Sequence, residues 1–398
     1  MAMLNHRLLE DKIENHFTKY PQALILLGAR QVGKTTLLKR IFPDALYLLV
    51  DEKPIYDYLE SYSSAVYRNL IGKSKQIVID ELHLLTNPGK AVKILYDQIE
   101  TLEIIVTGSS SLHIKNKTSE SMAGRAIEYY LFPLTYGEYL YQSNIEKSDK
   151  EFIYQKIVNL DSTPITKLYK HKQVLENALI YGQYPATIDI PRDQKYLKNL
   201  AEKAIFKDIL ELQLIDNRSK ALDLLKLLAY QIGNLISYSE IGDKLQLSSP
   251  TVQKYVEIFE QSYILYRVYP FSKNGRDEIG KAPKIYFWDL GLRNALIDNF
   301  DSMNIRSDAG AMFENFIITE VKKEISYLDL DYKVNYWRLK SGAEVDLILH
   351  SKEKFIGCEI KLTGGVASKA FLNRYPEAKM HVVTSDNFIY IGSSWTSF

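Results

Sequence analysis

The chain has 398 residues, too many for one compact core, so two to four domains are expected. A formal net charge of +1 gives no global pull toward nucleic acid or an anionic membrane. The single cysteine, Cys358, excludes an internal disulfide and a cysteine-based zinc site, which suits a reducing, cytoplasmic setting. No apolar run is long enough to cross a bilayer, so no membrane association is expected.

In chain order, Leu8 to Glu14 reads as a charged amphipathic helix rather than a signal peptide. Ala23 to Leu27 is an apolar run with the look of a buried strand. It feeds Gly28-Ala29-Arg30-Gln31-Val32-Gly33-Lys34-Thr35, a G-x-x-x-x-G-K-T phosphate-binding loop, and Thr36 to Phe42 then reads as a helix. Strand, glycine loop and helix in that order are what such a loop needs, because backbone N–H groups at a helix N-terminus hold the phosphates. Gly28 and Gly33 let the backbone approach closely, and Lys34 reaches the β- and γ-phosphates. The Thr35 hydroxyl is a Mg²⁺ ligand, and Gly28 to Thr36 together form the expected ATP-binding segment.

Gln76 to Asp80 is a second apolar strand, ending in Asp80-Glu81. Asp80 is expected to hold Mg²⁺, and Glu81 to orient or deprotonate the attacking water. Glu103 to Thr107 is a third strand, running into Gly108 and three serines. Ser109 is a candidate γ-phosphate sensor, and an ordinary helix cap is the competing reading. Arg125 precedes Phe132-Pro133-Leu134 and is a candidate for stabilising charge on the transferring phosphoryl, in its own site or a neighbour's, against a plain surface ion pair.

Residues to about 140 alternate strand and helix, as in a parallel-sheet nucleotide-binding domain. The polar stretch from Ser143 to Lys150 is the candidate linker, and Phe152 to Leu228 reads as helical, with a turn at Tyr181 to Pro185. Ser237 to Leu245 and Ser249 to Val256 read as two short helices around a turn, the second opened by serine and proline. Strand-like stretches around Ile264 to Pro270 and Pro283 to Trp288 follow, and the order suggests a winged helix-turn-helix. Residues 236–298 carry eight basic and eight acidic side chains, so a packing or partner-binding role competes with DNA recognition.

From about Ala309 another α/β unit is expected: a helix from Met312 to Ile325 carrying Glu314, then strands Lys333 to Leu339, Glu344 to Leu349 and Phe355 to Lys361, a helix from Ser368 to Arg374 and a last strand from Lys379 to Thr384. Asp346 and the Glu359-x-Lys361 pair fall on adjoining strands, and residues two apart share a face. Glu314, Asp346 and Glu359 are candidate Mg²⁺ ligands, with Lys361 catalytic beside them. The set resembles a PD-(D/E)-x-K nuclease site, with Val345 where that motif often has proline.

With these pieces in place, nearly the whole chain resembles a bacterial and archaeal family of AAA-type ATPases with a C-terminal region of uncharacterised function. The carrying residues are Gly28 to Thr35, Asp80-Glu81, Thr107 to Ser110, Gly124-Arg125, Tyr181 to Pro185, Lys284 to Asp289, and Glu314, Asp346, Glu359 and Lys361. The resemblance implies ATP binding and hydrolysis. The expected architecture is multidomain α/β: a P-loop ATPase domain (1–142), a helical region (143–230), a winged-helix-like domain (231–304) and a restriction-endonuclease-like domain (305–398). Two functions compete. One is an ATPase whose nucleotide state controls a metal-dependent nuclease acting on DNA. The other is an ATPase switch whose C-terminal domains bind a protein or DNA without cleavage, and residues 305–398, with twelve basic and twelve acidic side chains, present no basic channel. An oligomer is compatible with either.

Overall fold

The computed structural model describes residues 6–108, 122–145, 152–165, 168–211, 215–272, 282–339 and 341–389, with backbone alone at 168–170 and 203–211. The N-terminal unit is a five-stranded parallel sheet in the order β2-β3-β4-β1-β5, formed by β1 (Ala23–Leu27), β2 (Leu46–Leu49), β3 (Gln76–Asp80), β4 (Glu103–Gly108) and β5 (Ala126–Tyr130). The apolar runs of β1, β3 and β4 suit this placement, because helices cover both faces of such a sheet and leave the central strands buried. The sequence reading had named neither β2 nor β5. Both are edge strands with partly exposed residues, so their hydrophobic signal is weaker. Because β1 lies between β4 and β5, the loop after β1 opens at a change of strand order, where α/β sheets form crevices.

The middle of the chain is helical, with helices Leu168–Tyr181, Gln194–Glu211 and Arg218–Tyr230. Helix Leu290–Leu296 returns to pack with them: Asn294 Nδ2 donates to the carbonyls of Leu179 (3.0 Å) and Ile180 (2.8 Å), and Arg293 Nε donates to Ala229 O (2.6 Å). These bonds satisfy carbonyls left open at the ends of two helices. Between them stand helices Tyr238–Leu245 and Ser249–Gln261, N-capped by Ser237 and Ser248, and the antiparallel pair β6 (Leu265–Val268) and β7 (Lys284–Phe287). The order helix, turn, helix, paired strands is the one anticipated, and residues 273–281 between the strands lie outside the described residues.

The C-terminal unit is a four-stranded sheet, β11-β10-β9-β8, made from β8 (Lys333–Arg338), β9 (Glu344–His350), β10 (Phe355–Ile360) and β11 (Lys379–Val383). Only β10 and β11 run parallel. Helix Ala309–Tyr327 is buried nearly all round and lies between this sheet and the rest of the chain. Asn315 clamps it to β7, accepting from Phe287 N (2.8 Å) and donating to Phe287 O (2.9 Å). Among the described residues no helix is long and apolar enough to cross a membrane.

Candidate functional sites

The phosphate loop joins β1 to helix Lys34–Ile41. Gly28 has φ +154°, and a Cβ there would lie 2.1 Å from Leu131 O, so only glycine lets the loop rest on the segment after β5. Gly33 caps the helix in the left-handed region at φ 98°. The Lys34 ammonium is turned into the loop, donating to Gly28 O (2.8 Å) and Ala29 O (2.9 Å). Thr35 Oγ1 donates to Asp80 Oδ2 at 2.7 Å, so the two expected Mg²⁺ ligands meet across the ends of β1 and β3.

Thr107, fully buried at the end of β4, donates to Asp80 Oδ1 and accepts from Glu81 N at 3.2 Å. It fixes both acids, and the sequence reading passed over it in favour of Ser109, which lies outside the described residues. Its position two residues short of the serines at a strand end was the available signal. Glu81 adopts φ 60°, and its Oε2 lies 3.2 Å from His83 Nδ1. Burial pushes the Glu81 carboxyl above the usual range, against the opposing charges of Lys34 and Arg30, with Asp80 and Asp51 adding to the rise. Arg30, Gln31, Val32 and Thr36 lie on or beside this loop, with Val32 buried and Thr36 exposed.

Arg125 stands elsewhere. It precedes β5, whose first residue pairs with Ala23, so it sits at the end of the sheet away from the loop, about 15 Å distant at the rise of a strand. Its guanidinium makes a two-pronged contact with Asp97 (2.8 and 3.1 Å) on a partly exposed surface. Of the readings left open for Arg125, this contact is the surface ion pair.

An arginine no motif had signalled supports the loop from behind. Arg7, 1% exposed, donates from Nη1 to Val32 O (2.9 Å), from Nη2 to Phe132 O (2.8 Å) and from Nε to Glu138 Oε1 (3.0 Å). Its Nη2 also lies 3.4 Å from the hydroxyl of Tyr327, at the end of helix Ala309–Tyr327. That hydroxyl accepts from Phe132 N at 2.9 Å. The same helix face carries Glu320, which accepts from Tyr136 N (2.6 Å) and Gln183 Nε2 (3.0 Å), and Glu324, which accepts from Ile153 N (2.9 Å) and Tyr154 N (2.8 Å). Two carboxylates of the C-terminal unit thus cap the N-termini of helices Tyr136–Gln142 and Ile153–Val158.

In the C-terminal unit, Asp346 and Glu359 stand on the paired strands β9 and β10, as anticipated. Asp346 Oδ2 accepts from Ile360 N (2.8 Å) and from Lys361 Nζ (2.7 Å), and Lys361 Nζ lies 3.2 Å from Glu359 Oε2. Burial and the Asp346 charge raise the Glu359 carboxyl above its ordinary range, with Lys361 opposing. Glu314 is held differently. Its Oε1 accepts from Lys284 Nζ (3.1 Å) and Tyr286 OH (2.6 Å), both from β7. Lys284, 2% exposed, also lies 2.5 Å from Glu344 Oε1. Burial would lower the Lys284 ammonium, but Glu314 and Glu344 outweigh it and hold it raised.

Asp346, Glu359 and Lys361 are thus brought together, while Glu314 is bound to Lys284 and Tyr286 of β7. Among the described residues no three acidic, histidine or cysteine side chains are arranged to hold a metal ion. Two ammonium groups, Lys284 and Lys361, stand between the carboxylates instead. Lys284, named only within a family-like segment, was given no role there because a lone lysine opening an apolar strand reads as an exposed strand end.

Residues 20–140 match the family model described as an AAA domain, and the N-terminal unit has an AAA-type P-loop ATPase fold. Residues 172–303 and 309–396 match two further models, each described as a domain of unknown function. The chain is 28% identical to an uncharacterized protein of Methanocaldococcus jannaschii over 94% of this chain and 83% of that protein. It is 22% identical to an uncharacterized protein of Haemophilus influenzae, over 84% of this chain and 81% of that one. Similar solved structures include a Walker-type ATPase of Pyrococcus abyssi (16% identity, 72% of this chain, 94% of that chain, TM-score 0.47). The RuvB Holliday junction branch migration motor of Thermotoga maritima is another (15% identity, 69% and 94%, TM-score 0.33).

Proposed function

We propose that the protein is an ATP-hydrolysing switch whose nucleotide state is passed to a C-terminal unit that binds a protein or DNA partner without cleaving it. The observation that carries the ATPase part is the bonded line from Thr35 through Asp80 and Thr107 to the backbone of Glu81, in front of the phosphate loop. The residues fit ATP with Mg²⁺: Gly33 opens the helix whose first residue is Lys34, so backbone N–H groups face the loop, and Thr35 and Asp80 would hold the metal together. Bound Mg²⁺ offsets charge on the transferring phosphoryl. Lys34 would exchange the carbonyls of Gly28 and Ala29 for phosphate oxygens. Glu81 would take a proton from the attacking water or orient it.

A switch needs a contact that differs between nucleotide states. Movement of the loop on gain or loss of the γ-phosphate would act on Val32 O, which Arg7 ties to Tyr327. Helix Ala309–Tyr327 carries Glu314 13 residues from that tyrosine, about 20 Å along a helix, so one rigid element spans both sites.

A second reading, the metal-dependent nuclease, is favoured by the convergence of Asp346, Glu359 and Lys361. The lodging of Lys284 between Glu314 and Glu344 weighs against it. One assay tests the ATPase part common to both readings, and a second separates them. Lys34→Ala is expected to abolish ATP binding, while Glu81→Gln keeps binding and slows turnover by about 10²–10³. Unchanged turnover in the glutamine variant would remove Glu81 from its role. Plasmid and linear DNA, incubated with the protein and Mg²⁺ or Mn²⁺ with and without ATP, are expected to stay intact. Cleavage that is lost in Asp346→Ala would establish the nuclease.

A further inference from the structure

Where the three family-matched segments meet there is a cavity of about 520 Å³, a size suited to a small ligand. Tyr130 and Phe132 of the N-terminal unit, Trp288 and Tyr266 of the middle segment, and Lys322 of helix Ala309–Tyr327 contribute to its wall. The rings are organised. Phe132 and Trp288 stack with centroids 4.2 Å apart at 16°, and Tyr266 lies 4.6 Å from Trp288. The stacked faces are turned on one another, so the wall presents mainly ring edges, which an aromatic guest meets with its face.

Lys322 brings charge into this setting. Its ammonium lies 4.9 Å from the centre of the Tyr266 ring, and among the described residues no carboxylate stands within ion-pair distance of it. The nearby acid, Glu260, is committed to Arg267, accepting from its backbone N (2.9 Å), Nε (2.8 Å) and Nη2 (2.6 Å). Burial lowers the Lys322 ammonium, and Glu260 opposes this only by its charge. Lys322 is partly buried, and its cation rests on an aromatic face with no anion beside it among the described residues. If Lys322 only filled space, a methionine would serve as well, whereas a ligand-binding lysine must carry charge.

We propose that this cavity is a binding site for a small planar aromatic anion, its ring on the Phe132–Trp288–Tyr266 wall and its carboxylate or phosphate on Lys322. Phe132 bonds both Arg7 and Tyr327, and its neighbour Leu131 supports Gly28, so an occupant would touch the residues that join the phosphate loop to the C-terminal unit. The site itself is independent of the ATPase reading.

Nucleotides and aromatic carboxylic acids share this chemistry, and the test separates them. The full-length protein is titrated calorimetrically with AMP, GMP, indole-3-carboxylate and 2-naphthoate, each also in Lys34→Ala, which disables the phosphate loop. At least one probe is expected to bind both proteins alike. Lys322→Met should weaken that binding about ten- to a hundredfold, and Lys322→Arg should largely keep it. The binding arm names the source. Failure of all four probes, or binding untouched by Lys322→Met, overturns the proposal. Binding that vanishes in Lys34→Ala belongs to the phosphate loop and likewise overturns it. Should Lys322→Met not fold, mass spectrometry of the wild type decides: a saturating probe is expected to protect Lys322 from acetylation by an amine-reactive ester, and undiminished acetylation overturns the proposal.

Discussion

Glu81 holds a left-handed backbone conformation that costs a non-glycine residue roughly 1–2 kcal/mol, and Thr107 helps to hold it there. The strain turns the carboxylate toward the side of the loop where Lys34 and Arg30 act on it. Because burial raises this carboxyl, it takes up a proton at higher pH than an ordinary glutamate, and only the deprotonated form can serve as base. The acid limb of the turnover–pH profile is therefore expected above the usual glutamate value of about 4.3. The residual activity of Glu81→Gln should lack that limb. A wild-type limb at or below the ordinary value would show that another group sets it. Asp80 and Glu81 were legible as a pair because an apolar strand ending in two acids is a local pattern. Thr107 was not, since its role depends on β3 and β4 lying side by side.

At the scale of elements, helix Ala309–Tyr327 decides how the chain hangs together. Its carboxylates at 320 and 324 cap two helices of other segments, and its Tyr327 hydroxyl bonds Phe132 N and Arg7. Tyr327→Phe keeps the ring and removes only the hydroxyl, leaving Phe132 N buried without its acceptor. It is expected to cost about 1–3 kcal/mol in denaturant unfolding. It should also reduce any ATP-dependent change in hydrogen exchange across the C-terminal unit. Full retention of that change would disconnect Tyr327 from the switch. The helix itself was readable from its apolar content, and its near-continuous burial explains why no polar face marked its partners. Strand β5 escaped notice for the opposite reason, since each of its residues is partly or fully exposed.

Across the whole molecule, Lys284 ties the middle segment to the C-terminal sheet by bridging Glu314 and Glu344. Removing one partner of a buried ion pair strands the other, so Lys284→Met is expected to destabilise the protein by about 3–5 kcal/mol. Adding Glu314→Gln should restore much of that loss, because the stranded charge goes with it. If the double variant melts no higher than the single one, repulsion among these carboxylates is not what Lys284 relieves.

The amino-acid sequence by itself determined the phosphate loop, its acidic pair, the parallel-sheet class of the N-terminal unit and the meeting of Asp346, Glu359 and Lys361. Each is a short-range matter of strand period, helix start or residues two apart on one strand. Tertiary structure alone decided that Arg125 lies at the far end of the sheet, that Arg7 braces the loop, and that Lys284 stands among the C-terminal acids. Those outcomes join residues tens to hundreds of positions apart, or turn on which end of a strand a residue occupies. A buried charge goes where a distant partner offsets its desolvation, and no local periodicity encodes that choice.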